Sequence, residues 1–210
     1  MRVKNIIFDL GGVIIDIDYN LAAKAFKDLG IVDFDNFYSK AKQSTLFDDF
    51  EKGFISNEDF RMQLRSYLPS SITDLQIDNA WNAMLLGIPA SRIDFIQQIA
   101  AKYRIFLLSN TNRIHIEAFT IYNDEKFGNG YFESIFEYCY FSSDIGMRKP
   151  DAEIFEFVLS ENGLLKEETI FIDDSIQHID GALKIGLHAE LLKVEAGERI
   201  EEKYQYLLED

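Results

Sequence analysis

The chain has 210 residues, of which 47% are hydrophobic and 27% are charged, as in an ordinary soluble globular protein. Its formal net charge of -15 repels phosphate backbones and anionic lipid, which argues against nucleic acid and membranes as partners. The length fits one large domain, or a core domain with a smaller second one.

The cysteine content and the N-terminus bear on the compartment. Cys139 is the only cysteine, so no disulfide can form within the chain and a reducing compartment fits. The first apolar run is short and Asp9 interrupts it, unlike a secretory leader, and no stretch is long enough to span a bilayer. We therefore expect a cytoplasmic protein.

Short apolar runs along the chain predict buried strands. They are continuous rather than alternating, which is typical of strands covered on both faces. They comprise residues 3–8, 105–108, 138–141, 169–173 and, more weakly, 188–192. Predicted helices over residues 91–100, 151–159 and 176–185 separate the later runs, the first of them capped by Ser91. Strands that alternate with helices predict an α/β fold with a parallel sheet.

The stretch from residue 19 to residue 86 shows helical spacing only. Residues 56–59 resemble a capping box, and residues 73–86 predict a helix that carries Trp81. We therefore expect an all-helical cap at residues 18–88, inserted into an α/β core formed by residues 1–17 and 89–210. A charged amphipathic helix is predicted for residues 197–210.

Polar residues follow four of the predicted strands. Asp9 follows the first, Ser109 and Asn110 follow the second, Lys149 comes after the third, and Asp173 and Asp174 stand at the end of the fourth. In an open parallel sheet, ligands bind beyond the carboxyl ends of the strands. Carboxylates and carbonyl oxygens suit Mg²⁺, and a carboxylate beside Mg²⁺ and a lysine stays ionised and can attack phosphorus. The four segments together predict phosphoryl transfer through an aspartyl-phosphate.

These four segments resemble the four motifs of the haloacid dehalogenase (HAD) superfamily, in their usual order. FDLGG resembles the first motif, LLSN the second, the Lys149 segment the third and FIDD the fourth. The resemblance implies a Rossmann-like core with a helical cap of the superfamily's first (C1) type. FDLGGVIIDID, LLSNTNRIH and DIGMRKPDAEIF further resemble a bacterial sugar-phosphate phosphatase subgroup that includes α-D-glucose-1-phosphate phosphatases.

The resemblance implies a metal site and a nucleophile. Asp9 would be the nucleophile and a Mg²⁺ ligand, with the main-chain carbonyl of Gly11 as a second ligand. Asp174 would be the third ligand from the protein, and Asp173 would support the metal through water. The implied activity is hydrolysis of a small phosphorylated metabolite such as glucose 1-phosphate.

The resemblance also implies how the phosphoryl group is held. Ser109 and Asn110 would bind it, and Lys149 would pair with both Asp9 and the phosphate.

The sequence departs from the superfamily at Gly11, where most of its phosphatases have an aspartate that acts as general acid and base. Such a group contributes ~10²–10⁴-fold to the rate. Phosphatase activity would be preserved if another residue acted as the acid and base, and Asp16, Asp18 and His178 are the candidates. It would also be preserved if the substrate had a good leaving group, as an anomeric sugar phosphate does. The alternatives are hydrolysis of a carbon–halogen bond, which needs no proton donor, or a catalytically weak protein that binds a phosphorylated ligand.

Overall fold

The computed structural model describes residues 2–31 and 45–209, so residues 32–44 of the predicted cap lie outside the described residues. Within the described ranges the strands are β1 (Asn5–Phe8), β2 (Asp16–Ile17), β3 (Leu85–Gly87), β4 (Arg104–Ser109), β5 (Tyr138–Phe141), β6 (Thr169–Asp173) and β7 (His188–Leu191). The helices are α1 (Tyr19–Asp28), α2 (Leu46–Glu51), α3 (Asn57–Arg65), α4 (Asp74–Asn82), α5 (Ala90–Ala100), α6 (Arg113–Phe127), α7 (Tyr131–Ser134), α8 (Ser142–Ile145), α9 (Ala152–Glu161), α10 (Ile176–Lys184) and α11 (Ile200–Lys203).

Five of the strands form one parallel sheet in the order β5-β4-β1-β6-β7. This confirms the predicted Rossmann-like α/β core. Phe8 is in register with Leu107 of β4 and Ile172 of β6, so the carboxyl ends of the three central strands lie level with one another. The residues that follow these strands therefore meet at a single edge of the sheet.

Both faces of strand β1 are buried, which accounts for its continuous run of apolar residues. Ile6 and Phe8 lie in one hydrophobic cluster, whereas Ile7, between them, lies in another on the opposite face of the sheet. The first cluster includes Ile96 of α5, and the second includes Phe155 of α9. Because helices cover both faces, every position of this strand is apolar or has a polar partner.

Helices α1 to α4 pack around a hydrophobic cluster of their own. The centroids of the Phe50 and Phe60 rings are 4.0 Å apart in a stacked pair. The Trp81 ring stacks on Phe47 at 5.4 Å and on His115 of α6 at 5.1 Å. Trp81 thus belongs to the core of this helical region and also joins it to the helix that follows β4.

The structure corrects the sequence predictions at the ends of several elements. Helix α4 ends at Asn82, and residues 85–87 form β3, antiparallel to β2, where helical spacing had been extended to residue 86. A three-residue strand is too short to show a period of two. Helix α5 begins at Ala90 behind Pro89, so Ser91 lies inside the helix and does not cap it.

Two further differences lie at the sheet edge and the C-terminus. Strand β5 is an edge strand, and 56% of the Tyr138 surface is exposed, so the run over residues 138–141 is only partly buried. In place of one amphipathic helix, the C-terminal segment forms α11 and a 3₁₀ helix at Gln205–Leu208. Ile200, Tyr204 and Leu207 are buried, so core packing determines the path of this segment.

A buried arginine joins the loop after β1 to the C-terminal segment. Arg92 of α5 is 1% exposed and donates to the Ile14 carbonyl at 2.7 Å and to Asp16 at 3.0 Å. Its Nε donates to Glu201 of α11 at 3.2 Å. One guanidinium therefore fixes segments that are far apart in the sequence.

The helices of the described structure lie within residues 2–31 and 45–209. No helix in these ranges combines the length and the apolar character that crossing a bilayer requires.

Candidate active site

Several of the residues singled out by the sequence line a cavity of about 300 Å³ at the carboxyl edge of the sheet. Asp9, Gly11, Ser109, Asn110 and Asp174 line it, and they come from three different strand ends. Their convergence follows from the aligned ends of β1, β4 and β6. The opposite wall comes from the helical region.

Lys149 lies at the centre of the charged groups. Its side chain is fully buried, and its Nζ lies 2.6 Å from Asp9 Oδ1 and 2.7 Å from Asp173 Oδ2. The same ammonium donates to the Leu108 carbonyl at 2.8 Å. Burial alone would lower the pKa of Lys149, but the two carboxylates raise it above its usual value. Lys149 therefore stays charged and holds Asp9 in a fixed orientation.

Three carboxylates form a cluster that can hold a metal ion. Ligand oxygens of Asp9, Asp173 and Asp174 all lie within 4.8 Å of one another. Burial raises the pKa of Asp9 to about 7 against the attraction of Lys149. Burial and repulsion by Asp173 raise that of Asp174 to about 6. One lysine leaves two of the three negative charges unbalanced, and a divalent cation with oxygen ligands matches both the charge and the donor set.

Asp173 has more protein partners than the other two acids. Besides Lys149, the Ser175 N–H donates to its Oδ1 at 2.8 Å, and His178 Nδ1 lies 3.0 Å from both of its oxygens. Burial raises the pKa of Asp173, but Lys149 and His178 outweigh this and hold it at about 2. Asp173 is therefore an anion that orients its neighbours, whereas Asp174 faces the cavity.

The end of β4 and the residues after it place polar groups at the cavity. Ser109 is 3% exposed at the last position of the strand. The Asn110 side chain is committed to the main chain of Lys149: it accepts from the N–H at 2.9 Å and donates to the carbonyl at 2.8 Å. The Thr111 N–H donates to Ser142 Oγ at 2.9 Å. Helix α6 starts just beyond, and the positive end of its dipole favours an anion here.

Two adjacent glycines allow the loop after β1 to lie close to the acid cluster. Gly12 has a φ of +74°, and a Cβ built there would lie 2.8 Å from Asp174 Cγ. A Cβ at Gly11 would lie 2.7 Å from Ile17 Cδ1. The main chain at Gly12 therefore packs against Asp174, and Ile17 occupies the space beside Gly11.

Two of the sequence candidates for a substitute acid and base lie elsewhere. Asp16 is bonded to Arg92, and Asp18 caps α1 by accepting from the Asn20 N–H at 2.9 Å. Neither is among the described residues that line the cavity, whereas His178 is. Cys139 is not activated, since burial raises the pKa of its thiol to about 12.

Sequence reasoning missed the residues that line the cavity from the helical side. Phe47, Glu51 and Trp81 come from α2 and α4, and His115 comes from α6. Arg148, which also lines the cavity, lies within a motif that drew attention only to its neighbouring lysine. No spacing in the sequence distinguishes these side chains from ordinary core or surface residues. Their role follows from how the helical region packs on the sheet.

Comparison with known proteins gives the family. The model of a hydrolase family described as haloacid dehalogenase-like hydrolase matches residues 3–186. A D-ribitol-5-phosphate phosphatase from Bacteroides thetaiotaomicron is 33% identical over 187 residues, which cover 88% of this chain and 89% of that protein.

Two solved structures bear on the site and the fold. A HAD family enzyme from Bacteroides thetaiotaomicron, in complex with magnesium and inorganic phosphate, is 35% identical, covers 90% of this chain and 93% of its own, and has a TM-score of 0.79. A dehalogenase with 18% identity and a TM-score of 0.63, covering 95% of this chain and 89% of its own, shares the fold alone. The chain thus belongs to the haloacid dehalogenase-like hydrolases.

Proposed function

We propose that this hydrolase is a Mg²⁺-dependent phosphatase of a small phosphorylated metabolite, with Asp9 as the nucleophile. The observation that supports this most directly is the position of Lys149 Nζ, 2.6 Å from Asp9 and 2.7 Å from Asp173. Asp9 lines the same cavity as Ser109 and Asp174. The relatives named as a phosphatase and as a complex with magnesium and phosphate support this function.

The acid cluster fits magnesium. Asp9, Asp174 and the main-chain carbonyl of Gly11 would hold the ion, and Asp173 would support it from behind. When bound, the ion supplies positive charge that stabilises the charge of the transferring phosphoryl group. The numerous partners of Asp173 favour this supporting role, because its oxygens are already engaged by Lys149, Ser175 and His178.

The protein's own groups carry out the transfer. The Asp9 carboxylate attacks phosphorus, the bond to the leaving oxygen breaks, and an aspartyl-phosphate forms. Ser109 Oγ and the Asn110 N–H bind phosphoryl oxygens, since the Asn110 side chain holds Lys149 and the Thr111 N–H is bonded to Ser142. Water then releases phosphate and restores Asp9. Lys149 neutralises the charge throughout.

The helical region is proposed to be a cap that selects the substrate. The core would comprise residues 1–17 and 89–210, and the cap residues 18–88. Phe47, Glu51 and Trp81 reach the cavity from that side. The apolar edges of Phe47 and Trp81 that reach the cavity suit the C–H groups of a carbohydrate, and Arg148 and Glu51 suit hydroxyl groups. Sugar and polyol phosphates, including glucose 1-phosphate, are the proposed substrate class.

The test is phosphate release with Mg²⁺ from glucose 1-phosphate, ribitol 5-phosphate, glucose 6-phosphate and p-nitrophenyl phosphate. We expect release from at least one ester, and its loss in Asp9→Asn or after chelation. Asp28→Asn is the matched control, because its carboxylate is exposed on α1 and, within residues 2–31 and 45–209, pairs with Lys24 of the same helix at 2.8 Å. Chloride release from a 2-haloacid, without phosphate release from any ester, would establish the dehalogenase alternative instead.

A further inference from the structure

If the protein is a phosphatase, as proposed above, some group must protonate the leaving oxygen. Gly11 carries no acid, and the Ile17 side chain fills the space beside it, with its Cδ1 2.7 Å from an ideal Cβ. An alkyl leaving group needs a proton as its bond to phosphorus breaks. The donor must therefore come from another part of the cavity wall.

Few titratable side chains outside the acid cluster line the cavity in the described part of the chain. They are Tyr19, Glu51, His115, His178 and Arg148, of which the arginine keeps its proton and cannot serve as the acid. Tyr19 is 68% exposed. Burial lowers the pKa of His115 to about 3, and its Nδ1 lies 2.8 Å from Asn82 Oδ1, so it is neutral at physiological pH. His178 is bound to Asp173. That contact places His178 on the same side of the cavity as the acid cluster. The leaving oxygen departs roughly in line with the attacking Asp9, on the far side of phosphorus. Glu51 is the carboxyl group that comes from the opposite, helical wall.

Hydrogen bonds anchor Glu51 beside the end of β4. The Glu51 carbonyl accepts from Ser142 Oγ at 2.6 Å, and the same hydroxyl accepts from the Thr111 N–H at 2.9 Å. Thr111 is two residues beyond Ser109, which is proposed to bind the phosphoryl group. The last residue of α2 is thus tied to the segment that would hold the reacting phosphorus.

The Glu51 side chain is joined to the loop that carries Lys149. Its Oε2 lies 2.9 Å from Arg148 Nη2, and Arg148 directly precedes the lysine that bonds to Asp9. Arg148 also pairs with Asp48, one turn earlier in α2. Arg148 therefore keeps a carboxylate partner whether or not Glu51 carries a proton.

The charges that face Glu51 come from its own helix and from the Lys149 loop. Burial raises the pKa of Glu51, Arg148 and Lys149 oppose the rise, and Asp48 adds to it. The net direction is upward. A carboxyl group with a raised pKa is suited to donating a proton near neutral pH.

We propose that Glu51 is the general acid and base that takes the place of the aspartate missing at Gly11. As the bond between phosphorus and the leaving oxygen breaks, the Glu51 carboxyl gives its proton to that oxygen and becomes a carboxylate. In the second step a water oxygen attacks phosphorus, the bond to Asp9 breaks, and Glu51 takes a proton from that water. Both residues then return to their starting states.

The test compares phenyl phosphate with p-nitrophenyl phosphate in wild type, Glu51→Gln and Asp48→Asn. The two esters have similar shapes, but phenoxide is more basic than p-nitrophenoxide and needs the proton more. The ratio kcat/KM covers the steps up to cleavage of the ester. In Glu51→Gln we expect kcat/KM to fall ~10²-fold or more for phenyl phosphate and only a few-fold for p-nitrophenyl phosphate. Asp48→Asn removes the other partner of Arg148 but keeps the Glu51 carboxyl, so we expect the ratio between the esters to change far less than in Glu51→Gln.

A pH profile of the wild type supplies a readout that does not depend on folding of the variant. Because the acid acts when protonated, kcat/KM for phenyl phosphate falls as the pH rises through the pKa of Glu51, and p-nitrophenyl phosphate shows a weaker fall. Equal losses for both esters in Glu51→Gln would overturn the proposal and make Glu51 a positioning residue for Arg148. Unchanged kinetics would also overturn it. Activity that persists in Asp9→Asn would instead refute the phosphatase mechanism.

Discussion

His115 makes the stability of the protein depend on pH, and replacing it with phenylalanine removes that dependence. Removal of the ring from water, where it stacks on Trp81, lowers its pKa from 6.5 to about 3. The folded chain therefore excludes a proton that the unfolded chain binds below about pH 6.5. Stability contributed by neutral His115 is present above that pH and falls as the pH decreases towards 3.

The shift fixes the expected size of the effect. With these two pKa values, linkage predicts a loss of about 2 kcal/mol of unfolding free energy between about pH 7 and about pH 5 from this residue. Phenylalanine keeps a ring against Trp81 but loses the 2.8 Å hydrogen bond to Asn82, which adds a pH-independent cost of about 1 kcal/mol. Asp9 and Asp174 have raised pKa values and act in the opposite direction, but they are common to both proteins.

Urea unfolding with chelator present, at about pH 7 and about pH 5, measures the effect. Trp81 is the only tryptophan and stacks on residue 115, so its fluorescence reports unfolding directly. We expect the wild type to lose about 2 kcal/mol more than His115→Phe on acidification. Equal losses in the two proteins would refute a neutral, partly buried His115.

Two further substitutions test the geometry of the acid cluster. Gly12→Ala places a methyl group against Asp174 and should weaken Mg²⁺ binding at least ~10-fold, as is typical when the support of a metal ligand is disturbed. A magnesium titration measures this change. Gly197→Ala is the control, because Gly197 also has a positive φ but has open space around it, and it should not weaken Mg²⁺ binding. Lys149→Met leaves the buried carboxylates of Asp9 and Asp173 without the ammonium that pairs with them. In the presence of chelator it should lower the unfolding free energy by about 3–5 kcal/mol. Added Mg²⁺ should restore part of that loss, and a variant as stable as wild type in chelator would contradict the paired arrangement.

The sequence predicted the parts of the fold and site that depend on local pattern. Apolar runs indicated the strands of the main sheet, and the polar residues after them indicated Asp9, Ser109, Lys149 and Asp174. Parallel strands bring their carboxyl ends together whatever the details of packing. For that reason the lysine and the acids could be brought to one edge of the sheet before any distance was known.

The wall contributed by the helical region could not be predicted in this way. Glu51 and Arg148 meet across nearly half of the chain, and neither lies at a strand end. Their pairing depends on how α2 packs over the sheet, which hydrophobic spacing does not determine. The three-residue strand β3 was missed for a related reason, since its pairing with β2 outweighs the local preference of so short a segment.

Arg92 makes the C-terminus a structural support of the active-site loop. Its guanidinium binds both the Ile14 carbonyl and Asp16, in the stretch that leads away from Asp9, and is held in turn by Glu201. A chain shortened before residue 200 would leave that buried cation with one carboxylate fewer. Trimming or fusion at the end of the chain would therefore act on the loop that follows Asp9, the proposed nucleophile, although the two segments lie at opposite ends of the sequence.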